Sequence, residues 1–325
     1  MRKFRKVLIT GISGSGGSHL AEYIIKNHKA EVHGLYRWHS TAHLRNLENI
    51  KSKITLHECD LNDFSSLARI IGEIKPDVIF HLASHTNVRV SFINPIAVMQ
   101  NNVMITANLL EAIRMVKVDP VILLASTAEC YGLIDPKNVP IKEDCPMNPQ
   151  NPYAVSKAAQ DLLSHLYFKS YGLKVIRTRA FTYINPRRGD LFATTFAKQI
   201  ALIEAGFQKE LRHGNLKSKR TIIDVRDIME GYWMVVSKGK IGEVYNIGGL
   251  MTITVGEVLG VLKKHAKCKI PSRLDKSLLR PSEVLIQIPD TTKIEKDTGW
   301  RPKYTFEESI KFLLDHVREE VSKGL

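Results

Sequence analysis

Lys6-Val7-Leu8-Ile9-Thr10-Gly11-Ile12-Ser13-Gly14-Ser15-Gly16-Gly17-Ser18-His19-Leu20 is the stretch that decides the fold. It runs from a short apolar strand, residues 6–10, through a turn of spaced glycines into helix-forming sequence over residues 18–27. Glycines permit a tight turn and let the backbone approach a pyrophosphate at a helix N-terminus. A strand before the turn and a helix after it separate a dinucleotide fingerprint from a flexible loop. Gly11, Ser13, Gly14 and Gly17 are therefore expected against a dinucleotide.

Outward from this turn the chain keeps alternating. Strand signals fall at residues 31–36, 55–58, 78–83, 121–126 and 175–179, and helix signals at 64–74, 103–115 and 153–170. Near-continuous apolar strands separated by helices predict an α/β fold, a doubly wound parallel sheet covered on both faces. Beyond Phe181 the pattern loosens, with helices expected at 194–205, 255–265 and 307–323. The expected organisation is a nucleotide-binding domain of residues 1–180 that also receives about 220–247. Residues 181–219 and 248–325 form a smaller C-terminal α/β substrate-binding lobe.

Composition narrows the class. At 325 residues, 44% hydrophobic and 25% charged, the chain reads as a soluble globular protein. Its longest apolar runs are strand-length, and the basic start leads into a strand rather than an apolar leader, so neither a membrane span nor a signal peptide is expected. Four scattered cysteines without a Cys-x-x-Cys pair point to a reducing cytoplasm and away from zinc. Twelve histidines show no metal-binding spacing. The net charge of +14 is spread along the chain, which favours an anionic small molecule over nucleic acid as partner.

The second strand chooses the cofactor. An acid at its end would bind an adenosine 2′-hydroxyl and repel a 2′-phosphate. Here it is followed by Arg37-Trp38-His39-Ser40, so NADP is expected over NAD. Asp60 and Leu61, after the third strand, are expected at the adenine, and Leu82 on the same cofactor wall.

Tyr153 and Lys157 carry the chemistry. Four residues apart on a helix, they share one face. A free phenol titrates near ~10, and a neighbouring ammonium is expected to lower that value. Thr127 is expected to hold a sugar oxygen against the tyrosine. Glu129, two residues further along a strand, is expected on the same side as Thr127 by the period of two.

Thr-Gly-x-x-Gly-x-x-Gly, Tyr-x-x-x-Lys and the upstream Thr127 together resemble the extended short-chain dehydrogenase/reductase superfamily, with its Rossmann sheet, over nearly the whole chain. Within it, residues 11–25 (GISGSGGSHLAEYII), 125–132 (ASTAECYG), 151–157 (NPYAVSK), 186–190 (PRRGD) and 280–284 (RPSEV) look most like the GDP-mannose 4,6-dehydratases. The C-terminal half is almost equally similar to the GDP-4-keto-6-deoxy-D-mannose reductases. The resemblance implies a GDP-hexose substrate, a homodimer or homotetramer, and a dehydration in which Tyr153 takes the C4 proton and Glu129 the C5 proton. It also implies that Arg220 and Arg280 bind the diphosphate and that Glu283 accepts from the ribose or base. Asn87 and Ser91 would line the hexose, and Arg187 and Arg188 are further candidates, one of them solvated. Two positions depart from the pattern: Ala128 stands where a serine is expected, and Thr182 stands where an asparagine is expected near the diphosphate.

Overall fold

The computed structural model of the protein describes residues 1–38, 44–279 and 284–324. In chain order its principal elements begin β1 (Lys6–Thr10), α1 (Ser15–Asn27), β2 (Glu31–Tyr36), β3 (Thr55–Glu58), α2 (Phe64–Ile74) and β4 (Val78–His81). Next come α3 (Val88–Ile93), α4 (Pro95–Val116), β5 (Val121–Thr127), α5 (Pro152–Tyr171), β6 (Val175–Ala180) and β7 (Tyr183–Ile184). The second half holds α6 (Phe192–Glu204), β8 (Leu211–His213), β9 (Lys219–Asp224), α7 (Val225–Lys238), β10 (Val244–Ile247), β11 (Met251–Thr254) and α8 (Val255–Lys264). It closes with β12 (Ser272–Leu274), β13 (Ile286–Gln287), α9 (Thr292–Thr298) and α10 (Phe306–Ser322).

Seven strands form one parallel sheet in the order β10-β6-β5-β4-β1-β2-β3. Strand order reverses between β1 and β4, so the crevice at their carboxyl ends is the place where such a sheet binds ligands. Side chains of each strand alternate between two cores. Val7 and Ile9 join α1 and α7 on one face through Leu20, Ile24, Ile228 and Trp233. Leu8 faces the other way, with Ile79 and Ile122, onto Leu67 and Ile71 of α2 and Leu109 and Ile113 of α4. Each such side chain contributes about 1.5–3 kcal/mol on burial, and removing one leaves a cavity that costs more.

Helix starts follow their caps. The Asn151 side chain accepts from Ala154 N and Pro152 sits in the first turn of α5, while Gly172 ends that helix in the left-handed conformation. Helix α4 begins at Pro95, eight residues before the periodicity suggested, because Pro95 is placed to start a helix. Strand β4 stops at His81 rather than residue 83.

After Phe181 the chain builds the second lobe, where α6, α8 and α10 share a core that includes Phe196, Leu259 and Leu314. Strand β9 pairs with β7, β11 and β13, while β10 returns to the main sheet beside β6. Among the described residues, no helix is long and apolar enough to cross a membrane, and no cluster of His, Cys, Asp or Glu is arranged to hold a metal.

Candidate active site

A cleft of about 460 Å³ opens at the carboxyl edge of the sheet, between the two lobes. Its floor is the glycine turn. Gly11 has φ +69°, and a Cβ there would stand 2.9 Å from the Ala83 Cα. A Cβ on Gly17 would lie 2.3 Å from the Gly11 oxygen, so only glycine lets α1 come this close to β1. Gly14 caps α1 without a side-chain hydrogen bond, leaving the helix start to backbone donors and the positive end of its dipole. That turn fits a pyrophosphate.

The opposite wall comes from β5 and α5. Ala125, Ser126, Thr127, Tyr153 and Lys157 all line the cleft. Tyr153 is 6% exposed, and the Thr127 hydroxyl favours the charged form of its phenol. Lys157 Nζ donates to the Ala125 carbonyl at 2.6 Å, pinning helix to strand. Burial pulls the Lys157 ammonium down to about 8, and Asp161, one turn further on, partly offsets this. Burial pushes the Tyr153 phenol up, opposite to the expected direction. The cation that opposes this rise is chiefly Arg188 rather than Lys157.

Neither arginine of the pair at 187 and 188 is solvated, which corrects the sequence reading. Arg187 donates to Ser18 Oγ at 3.0 Å and to Glu22 Oε1 at 2.6 Å, so it lies against α1 on the dinucleotide side. Arg188 borders the space around Tyr153, donating to Tyr183 Oη, the Thr86 carbonyl and Asp190.

Glu129 departs from its expected placement. Strand β5 ends at Thr127, whose Oγ1 accepts from Glu129 N at 3.3 Å and turns residues 128–130 into a short 3-10 helix. The period of two therefore fails at this point. The carboxylate accepts from Asn151 Nδ2 and Gln287 Nε2, both at 3.1 Å, one turn beyond the residues that line the cleft. Among the described residues it forms no ion pair.

Of the other expected contacts, Gly11, Gly14, Gly17, Leu82 and Arg187 line the cleft. Ser13 is buried behind the turn, its carbonyl accepting from Asn46 Nδ2. Arg37 follows β2 and is half-buried, whereas Asp60 is exposed beyond β3 with Oδ1 accepting from Asn62 N at 2.9 Å. Leu61 is buried, and its carbonyl accepts from Asn108 Nδ2. Asn87 caps α3 through Val90 N, and the fully buried Ser91 donates to the Val88 carbonyl. The Ser91 hydroxyl and the Asn87 Oδ1 are thus committed to the loop they shape. Thr182 accepts from Ile223 N through its carbonyl, and Arg220 donates to the Lys219 and Val284 carbonyls. His39, Ser40, Arg280 and Glu283 lie outside the described residues.

The sequence reading passed over Thr86, Tyr183, Asp190 and Lys198, which all line the cleft. Their signal was weak, since each stands in a loop, a two-residue strand or a helix of the second lobe, where periodicity carries little information.

Residues 8–313 match the model of the family described as GDP-mannose 4,6 dehydratase. The chain belongs to that family. GDP-mannose 4,6 dehydratase 1 of Arabidopsis thaliana is 32% identical, over 98% of this chain and 91% of that protein. GDP-6-deoxy-D-mannose reductase of Pseudomonas aeruginosa is 29% identical over 97% and 99% of the two chains. Among solved structures, RMD of Pseudomonas aeruginosa complexed with NADPH superposes with a TM-score of 0.83 at 27% identity, covering 97% of this chain and 98% of that one. As a dehydratase-family member, the chain matches these relatives over nearly its whole length.

Proposed function

We propose that the protein converts GDP-mannose to its 4-keto-6-deoxy derivative, a hydro-lyase reaction using bound NADP. The observation that carries this reading is Thr127, Tyr153 and Lys157 on one wall of a cleft floored by a pyrophosphate-fitting glycine turn. Full-length likeness to the Arabidopsis dehydratase supports the substrate, and the NADPH complex of the Pseudomonas relative supports the cofactor. Gly11, Gly14, Gly17 and the start of α1 would hold the dinucleotide, with Arg37 at the adenosine phosphate and Lys157 at the nicotinamide end. When bound, the nicotinamide supplies an acceptor for the C4 hydride and a donor for C6.

The chain's own groups manage the protons. Thr127 orients the C4 hydroxyl by hydrogen bonding, and Tyr153 removes its proton. Because burial raises the phenol, a neighbouring cation must support its charge in this step, and Arg188 is the one that opposes the rise. The C4 ketone acidifies the C5 hydrogen, which Glu129 takes. Among the described residues, two neutral amides and no cation hold that carboxylate. Subunits pair through the exposed apolar side of α4 and α5, giving a homo-oligomer.

A second reading, a reductase of the 4-keto sugar, is favoured by Glu129 lying beyond the lined cleft and by the reductase relative. One incubation decides. Purified protein with GDP-mannose and no added reductant should yield a product lighter by one water in mass spectrometry. Unchanged substrate, together with oxidation of NADPH in the presence of the 4-keto-6-deoxy sugar, would establish the reductase instead. Glu129→Gln should lower dehydration by roughly 10²-fold or more while leaving NADP affinity unchanged. Normal dehydration by that variant would remove Glu129 from the mechanism.

A further inference from the structure

Besides Tyr153, two phenols line the cleft for which the reaction above has no task, the buried Tyr232 and the more open Tyr183. Tyr183 sits in β7, and its hydroxyl accepts a hydrogen bond from Arg188 Nη1 at 2.9 Å. Arg188 is only 14% exposed, and each nitrogen of its fork is tied. Nη2 donates to the Thr86 carbonyl at 3.1 Å and to Asp190 at 3.4 Å, while Nε donates to Asp190 at 3.0 Å. A guanidinium has no acceptor. The hydrogen of Tyr183 therefore points away from Arg188, and Tyr183 shares the cleft surface with Thr86, Thr127 and Tyr153. The phenol is a donor fixed in advance of any ligand, the kind of group that stabilises a transition state without reorganising.

Bonding decides what it faces. Every nitrogen of Arg188 already has an acceptor within the protein, so the Tyr183–Arg188 unit is a poor clamp for a diphosphate, and the Tyr183 hydroxyl left over suits a neutral sugar hydroxyl. Loss of water from a hexose needs a base at C5 and an acid at C6 together. One carboxylate can serve both ends only in succession, giving up at C6 the proton that it must later return to C5, and Ala128 has no hydroxyl to lend.

We propose that Tyr183 is that acid, an inference that rests on the dehydratase reading. As Glu129 takes the C5 proton, the C5–H electron pair becomes the C5–C6 π bond. The C6–O bond breaks with its pair on oxygen, Tyr183 protonates that oxygen, and water leaves. The Tyr183 phenolate stays on the fork of Arg188. Glu129 later returns its proton to C5. The proton that Tyr153 took from the C4 hydroxyl passes through solvent to Tyr183, so each turnover releases one water and restores every group.

The test compares leaving groups. Fluoride departs without needing a proton, so GDP-6-deoxy-6-fluoro-mannose relieves the step assigned to Tyr183. Tyr183→Phe should lower kcat for GDP-mannose by roughly 10²-fold and leave turnover of the fluoro sugar near wild type. Its affinity for GDP-mannose by calorimetry should fall less than about tenfold, the worth of one hydrogen bond. Equal slowing of both substrates, or an unchanged kcat with GDP-mannose, overturns the assignment. Failure of the wild-type protein itself to release water from GDP-mannose would instead overturn the parent reading, and this inference with it. A fluorinated tyrosine at 183 keeps the side chain's shape and makes its phenol more acidic. It should move the alkaline limb of the kcat–pH profile to lower pH, and an unmoved limb also overturns the proposal.

Discussion

Lys157 shows how one buried cation links catalysis to stability. Its ammonium donates to the Ala125 carbonyl, yet burial brings it down to about 8 from 10.5. Between those two values the unfolded chain still holds the proton that the folded chain has released. The unfolded state then binds more protons, so stability rises with pH across this window. Lys157→Met removes the group and should abolish that rise. The measurement is the difference in urea midpoint between wild type and variant at the two ends of the window. Taking a difference cancels the tyrosines, whose raised values act in the opposite direction. A wild-type excess that shrinks with rising pH would show that the lysine keeps its charge in the fold. Turnover of the variant should fall by roughly 10²-fold, since the ammonium also supports the ionised phenol.

At the scale of elements, α5 must hold Tyr153 against β5, and a buried ion cluster fastens it. Asp161 is fully buried and accepts from Arg177 Nη1 at 3.0 Å and from Arg179 Nε and Nη2 at 3.0 and 3.2 Å. Burial works against its charge, but the two arginines of β6 keep the carboxyl below its ordinary range. Asp161→Asn leaves two buried cations without a full counter-charge and should cost about 3–5 kcal/mol. Urea denaturation measures this, and a loss below about 1 kcal/mol would mean solvent reaches the cluster.

Helix α5 was legible because Asn151 and Pro152 announce its start and Gly172 its end. The parallel sheet was legible because buried strands need unbroken apolar runs, such as Val121–Thr127 up to Ala125. Glu129 was misread because a local hydrogen bond from its own N–H to Thr127 outcompetes continuation of the strand. That a threonine can cap was visible in the sequence; that it would do so at this residue was not. Arg188 was indistinguishable from Arg187 in sequence, since their partners Thr86 and Glu22 are brought near only by the fold.

For the whole molecule, the informative surface lies away from the cleft. Val155, Leu162 and Leu166 stand in a stripe along α5, 42%, 60% and 50% exposed, and Met104 of the adjoining α4 is 48% exposed. Apolar side chains spaced seven and four apart along one helix form a continuous face, and such faces on soluble proteins are usually covered. On the pairing proposed above, a second copy would cover it, since a two-fold axis would set the same pair of helices against itself. Charge makes this testable without knowing the ligand. Each chain carries +14, so two copies repel at long range while the apolar stripe attracts at contact. Salt screens the repulsion within about 10 Å at 0.1 M and leaves the contact term in place. The dimer should therefore tighten as salt rises, as read by sedimentation equilibrium. Leu162→Glu, which adds a buried charge on each side of the axis, should give monomers at every salt concentration with a folded far-ultraviolet spectrum. Dimers that persist in that variant, or that loosen with salt, would place the subunit contact on another, charge-paired face.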